Sequence, residues 1–240
     1  MKKSIICHLY NTDLANDLLK RLLIFNDKST SFFFNVQGSS KAHKEILNIA
    51  RNSFPDSYIT QCPNKGRDIG AKLTLINLMI RLKVPSDYTL IIHDKKSLHT
   101  SGGNRWREEL YKIISPGYLN KIFGILEKNT DVGIIGAASY IQNEYDEVSN
   151  SFLSNSNQKI KLLLGKYRVS TNDYNFIAGN IFWIRTQLLK DFFKDRSFLE
   201  IKAELEEGNM LDFKKGTFVH AWERIMSWIA TSQGQKIYGI

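Results

Sequence analysis

The sequence predicts an α/β fold, a mostly parallel Rossmann-type sheet flanked by helices within a single domain spanning 1–240. Three observations carry this expectation. Strand-like and helix-like segments alternate four times over the first hundred residues, the pattern of βαβ units. Residues 88–92, Tyr-Thr-Leu-Ile-Ile, form an uncharged run of the kind that lies buried on both faces of a parallel sheet. No internal repeat, low-complexity segment or linker divides the 240 residues, a length that suits one large core.

Residues 4–10 read as the first strand, and Asn11-Thr12-Asp13 supplies cap material for a helix over 14–25 with Leu14, Leu18, Leu19 and Leu22 at helical spacing. A second strand over 32–36 is broken by Gly38, and a helix follows over 41–52. Residues 58–62 give a third strand and 71–82 a helix, leading to the strand at 88–92. Beyond it, helices are predicted over 116–128, 158–164, 186–193 and 218–231, and strands over 132–136 and 176–185. The second strand contains Gly179, which marks a close backbone approach by a ligand or another segment.

Composition limits the function classes. Thirty-three Lys and Arg against 24 Asp and Glu give a net charge of +9, which favours anionic partners. The basic residues are scattered and no nucleic-acid module is present, so nucleic acid is not an expected partner. Cys7 and Cys62 make neither a disulfide framework nor a zinc site, which points to a reducing, cytoplasmic setting. No run reaches the roughly 18 apolar residues of a membrane span, so any membrane contact is expected to be peripheral, at the inner face.

Two stretches carry candidate chemistry. The strand at 88–92 stops at His93-Asp94-Lys95-Lys96-Ser97, with Arg105 and Arg107 shortly after. In open α/β sheets ligands bind at the carboxyl ends of strands, and cations around one carboxylate there suit a phosphorylated anion with a metal ion. Asn64-Lys65-Gly66-Arg67-Asp68-Ile69-Gly70 lies between a strand and a helix, where glycines permit close approach and helix N–H groups favour phosphate. It matches neither the Walker loop nor the dinucleotide fingerprint. A nucleophile elbow is absent. His220 and Glu223 share a helical face, read as a hydrogen-bonded pair rather than a metal site.

Together these blocks resemble the rhamnan synthesis protein F family of bacterial polysaccharide glycosyltransferases. The resemblance rests on the opening strand with His8 and Tyr10, NKGRDIG at 64–70, HDKKS at 93–97 with Gly103, Trp106 and Arg107, Gly133 to Gly136, FIAGNIFWIR at 176–185 and HAWER at 220–224. Asp94 departs from the family's usual Thr, and an Asp-x-Asp pair is missing because position 96 is lysine. The resemblance implies a GT-A-like fold, with residues 1–100 as the nucleotide-binding half and 101–240 as the sugar and acceptor half. It implies transfer, with inversion, from a nucleotide-sugar donor to a glycan or lipid-linked glycan acceptor. His8, Tyr10, Asn64, Gly66, Arg67, Asp68, His93, Lys95, Lys96, Arg107 and Gly179 would bind the donor. Asp94 would hold Mg²⁺ or Mn²⁺, and Glu223 would be the catalytic base, with Asp212 and Glu206 in reserve. A binding protein of the same fold without turnover is the alternative.

Overall fold

The computed structural model describes residues 1–94, 103–210, 212 and 215–240. Its elements, in chain order, are β1 (Lys3–Leu9), α1 (Thr12–Leu22), β2 (Thr30–Val36), α2 (Lys41–Ser53), β3 (Tyr58–Thr60), α3 (Arg67–Arg81) and β4 (Tyr88–His93). Then follow α4 (Gly103–Tyr111), α5 (Pro116–Lys128), β5 (Val132–Gly136), β6 (Ile141–Asn143), β7 (Tyr145–Asp146), β8 (Ser151–Phe152) and α6 (Asn157–Lys166). The chain continues with β9 (Asn175–Ile177), β10 (Phe182–Arg185), α7 (Thr186–Phe193), α8 (Phe198–Glu204), α9 (Phe218–Thr231) and β11 (Lys236–Gly239).

A seven-stranded sheet has the order β11-β5-β10-β4-β1-β2-β3. It is parallel except at β10, which runs antiparallel to both β4 and β5. The predicted mostly parallel α/β sheet is therefore present, and it takes strands from both halves of the chain.

Alternation along the strands sends side chains to two cores. Ile5, Cys7 and Leu9 pack with α1, α2, α4 and α5 on one face, while Ile6, Phe33 and Ile91 pack with α3 and α9 on the other. From β1 the chain winds outward through α1, β2, α2 and β3; α3 then returns across the opposite face to place β4 on the other side of β1. The winding direction thus reverses between β1 and β4, and in α/β sheets the carboxyl ends of the strands at such a switch point are where ligands bind.

The strand expected over 176–185 is two strands in different sheets. β9 pairs with β6, and β10 enters the main sheet. Between them the chain turns through Gly179 at φ +89° and Asn180 at φ +55°. The predicted close approach at Gly179 comes from α4: a Cβ there would stand 3.0 Å from Leu110 Cδ1. The short strands β6, β7 and β8 and the edge strand β11 lack the length and pattern of a sequence-level strand signal.

Candidate functional site

Direct register on three adjacent parallel strands sets His93 beside His8 and His8 beside Asn35. All three fall on the face that carries α3 and lie buried at the carboxyl end of the sheet. His8 Nδ1–H donates to Asn35 Oδ1 at 3.0 Å, and Asn35 Nδ2 donates to Thr60 Oγ1 and Cys62 Sγ, each at 3.1 Å. That bonding fixes the His8 tautomer and leaves Nε2 as an acceptor. Burial pushes the His8 pKa down to about 4, with the Asp68 carboxylate pulling the other way.

The first turns of α3 complete this polar layer. Lys72 is fully buried and gives its three ammonium donors to Asp68 Oδ2 (2.8 Å), His93 Nδ1 (2.9 Å) and the Asn180 carbonyl (3.0 Å). Acceptance at Nδ1 makes His93 a neutral imidazole with its proton on Nε2. Burial alone would raise the Asp68 carboxyl, but the Lys72 ammonium at 2.8 Å holds it well below the usual carboxylate range. Asp68, Lys72 and His93 therefore act as one unit, with the charge of the ion pair enclosed. The sequence signal for Lys72 was an i,i+4 pair with Asp68, on a turn that also carries Ile69 and Leu73.

Asn180 is buried, and neither atom of its carboxamide has a hydrogen-bond partner among the described residues. Its backbone carbonyl meets Lys72, so the amide belongs to the same locality.

Asp94 goes elsewhere. Successive residues of an extended chain face opposite sides, so Asp94 leaves His93 and turns toward the start of α1. Its Oδ2 accepts the Tyr10 and Asn11 N–H groups at 2.7 Å each, and its Oδ1 accepts Asn11 Nδ2 at 3.1 Å. Burial pushes its pKa up to about 8 against the pull of these donors. Both oxygens are engaged, and among the described residues no group of three or more His, Cys, Asp or Glu is placed to hold a metal ion. Among the described residues Asp94 would thus have to hold a divalent cation through oxygens that already accept these N–H groups, with the remaining ligands coming from a bound diphosphate. Lys95 and Lys96 lie outside the described residues.

The 64–70 motif closes on the protein itself. Gly66 N–H donates to the Glu206 carbonyl at 2.7 Å, and Gly208 N–H to the Asn64 carbonyl at 2.8 Å. At Gly66, φ is +80° and an added Cβ would lie 2.2 Å from Leu205 Cδ1; at Gly70 it would lie 1.9 Å from the Lys65 carbonyl oxygen. In this structure the glycines serve internal packing where the sequence suggested room for a ligand. Asn64 Nδ2 donates to Asn209 Oδ1 at 3.0 Å, and Asn209 Nδ2 reaches the hydroxyl of the exposed Tyr10 at 3.2 Å.

Arg67, at φ +50°, carries the motif to the last helix, where its Nη1 faces His220 Nε2 at 3.5 Å. The other His220 nitrogen bonds Thr217 Oγ1 at 2.5 Å, with Asp212 Oδ1 at 3.9 Å. The expected His220–Glu223 bond is replaced by these contacts. Glu206 accepts the Phe218 and Val219 N–H groups at 2.6 and 3.1 Å, and Thr217 accepts that of His220, so the first turn of α9 is capped by the chain's own oxygens. Asp212 accepts from Ser156 Oγ at 3.1 Å. Glu223, partly exposed, meets Arg224 Nη1 at 3.2 Å, while Arg224 Nε donates to the buried Glu144 at 2.9 Å. Arg107, on α4, is half-buried beside Glu108, with Nε to Oε1 at 3.9 Å.

Folding thus gathers two sets of groups at one edge of the sheet: His8, Asn35, His93, Asp68 and Lys72, and next to them Arg67, His220, Thr217 and Asp212. Among the described residues no helix is long and apolar enough to cross a membrane. The chain is similar to the uncharacterized protein WxcX of Xanthomonas campestris pv. campestris, with 26% identity over 175 residues in strain B100 and 25% over 175 in a second strain. Each alignment covers 72% of this chain and 24% of the relative, so the matched region spans about a quarter of those proteins. Residues 1–235 match rhamnan synthesis protein F, and the chain belongs to that family of polysaccharide synthesis.

Proposed function

We propose that this chain is a glycosyltransferase unit of GT-A type that moves a sugar from a nucleotide-sugar donor to a growing polysaccharide. The observation that carries the reading is the switch point between β1 and β4, where His8, His93 and the Asp68–Lys72 pair meet at the carboxyl ends of the strands and Arg67 stands at the start of the same helix. A polar floor at the carboxyl ends of parallel strands is where α/β sheets take nucleotides. Sugar transfer passes through an oxocarbenium-like state while the leaving diphosphate gains charge. Lys72 is committed to three internal acceptors, so Arg67, Lys95 and Lys96 are the cations assigned to that charge. Glu223 is assigned as the base that takes the acceptor hydroxyl proton.

A second reading is favoured by one observation: Asp94 and Glu223, the two carboxylates given the chemistry, both have internal partners. On that reading the chain binds nucleotide or glycan without turnover. Calorimetry with a nucleoside-diphosphate panel, followed by nucleotide release from the matching sugar donors, separates the two. Arg67→Ala is expected to weaken nucleoside-diphosphate binding about tenfold, and Glu223→Gln to lower turnover by roughly 10²–10⁴ with donor affinity retained. Donor binding without transfer or hydrolysis selects the binding protein. Absence of nucleotide binding removes the donor assignment altogether.

A further inference from the structure

A separate groove of about 290 Å³ is lined by Asn143, Tyr145, Glu147, Asn172 and Tyr174. It is built on the pieces that leave the carboxyl end of β5 and return toward β10: β6 pairs with β9 and β7 with β8. It therefore belongs to the same edge of the main sheet as the switch point between β1 and β4.

The two tyrosine rings are held in place from behind. Their centroids lie 4.9 Å apart; Phe152 packs edge-on against Tyr145 at 5.3 Å, and Trp228 against Tyr174 at 5.4 Å. The Tyr145 hydroxyl bonds Asn150. Asn143, Glu147 and Asn172 are exposed at the groove. The lining thus combines fixed aromatic surface with two carboxamides and one carboxylate. A sugar ring offers C–H faces to aromatic rings and hydroxyls to amide and carboxylate groups.

Charge narrows the ligand further. The chain carries a net +9, yet among the described residues no Lys or Arg lines this groove and one Glu does. A phosphate or an acidic sugar would find no cation, whereas a neutral hydroxyl-rich ligand would find donors and acceptors. Glu144, between two lining residues, bonds Arg224, which meets Glu223. The groove thus connects through one ion chain to the carboxylate assigned as base.

We infer that this groove holds a segment of neutral polysaccharide chain. The assignment stands on the groove's own residues and is independent of the donor reading. The test titrates the full chain with neutral rhamno-, manno- and gluco-oligosaccharides and an acidic uronate oligosaccharide, followed by saturation-transfer NMR and calorimetry. At least one neutral oligosaccharide is expected to bind without nucleotide present. Its affinity should fall about tenfold in the double variant Glu147→Ala, Asn172→Ala, whose exposed side chains leave the aromatic packing intact. Tyr174→Ala, checked for fold by circular dichroism, should weaken binding further. Failure of every neutral oligosaccharide, tighter binding of the uronate, or unchanged affinity in the double variant overturns the inference. Nucleoside-diphosphate affinity on the same samples separates the two assignments: glycan binding without nucleotide binding keeps the groove and sinks the donor site.

Discussion

Lys72 shows how much a single buried charge organises. Its ammonium is enclosed with Asp68 and neutral His93, and all three donors are used. Removing one member of such a pair leaves the other charge uncompensated, at a cost of about 3–5 kcal/mol. Lys72→Met should lower unfolding stability by that amount in urea titrations, and adding Asp68→Asn should restore part of it. Equal stability of the single variant and wild type would show that the pair is not enclosed in solution. Asp94 and His8 make opposite contributions to pH dependence. With Asp94 raised to about 8, the folded state holds a proton that the unfolded state has released, so stability falls as pH rises. His8, lowered to about 4, instead costs stability as pH falls below its ordinary 6.5. The two slopes cancel between about pH 4 and 6.5, and Asp94 alone acts above that. Stability should therefore drop by about 2 kcal/mol from pH 6.5 to 9, and Asp94→Asn should flatten that slope. A wild-type profile already flat over this range would mean that the N–H groups of Tyr10 and Asn11 keep the carboxylate ionised.

At the scale of elements, the loop before α3 and the segment before α9 form one structure. Gly66, Gly70 and Leu205 pack where the two strands of loop cross, and Glu206 ties the crossing to the α9 N-terminus. This junction brings Arg67 to His220, so it positions the site without contributing to it directly. A methyl group at Gly70 would collide with backbone, which cannot give way like a flexible side chain. Gly70→Ala should destabilise the protein by about 1–3 kcal/mol and lower nucleoside-diphosphate affinity through Arg67. Thermal and urea melting check the first effect and calorimetry the second. A variant that melts like wild type would place the Lys65 carbonyl elsewhere in solution.

At the scale of the whole molecule, the sheet draws on both halves of the chain, because β10 inserts between β4 and β5. The sequence by itself determined the βα alternation and the bounds of several helices; α5, α7 and α9 lie where helical periodicity puts them, since amphipathic spacing is a local property. It also determined that His8 and His93 stand at strand ends, because an apolar run that stops at polar residues marks a strand's end; of the 64–70 motif only 64–66 lie in the loop, since α3 begins at Arg67. It could not give Lys72, Asn35 or Asn180 their roles: a lysine within an amphipathic helix or an asparagine in a strand acquires meaning only from what stands opposite. Only the tertiary structure decided that His93 meets Lys72 while Asp94, its neighbour in sequence, meets the N–H groups of Tyr10 and Asn11. Only it decided that the glycines of 64–70 pack against Leu205 and the Lys65 carbonyl, and that Arg67 meets His220 across 153 positions. The physical reason is the same in each case. Local pattern fixes the direction in which a side chain leaves the backbone, whereas its partner is supplied by segments far along the chain, which the sheet order alone brings together.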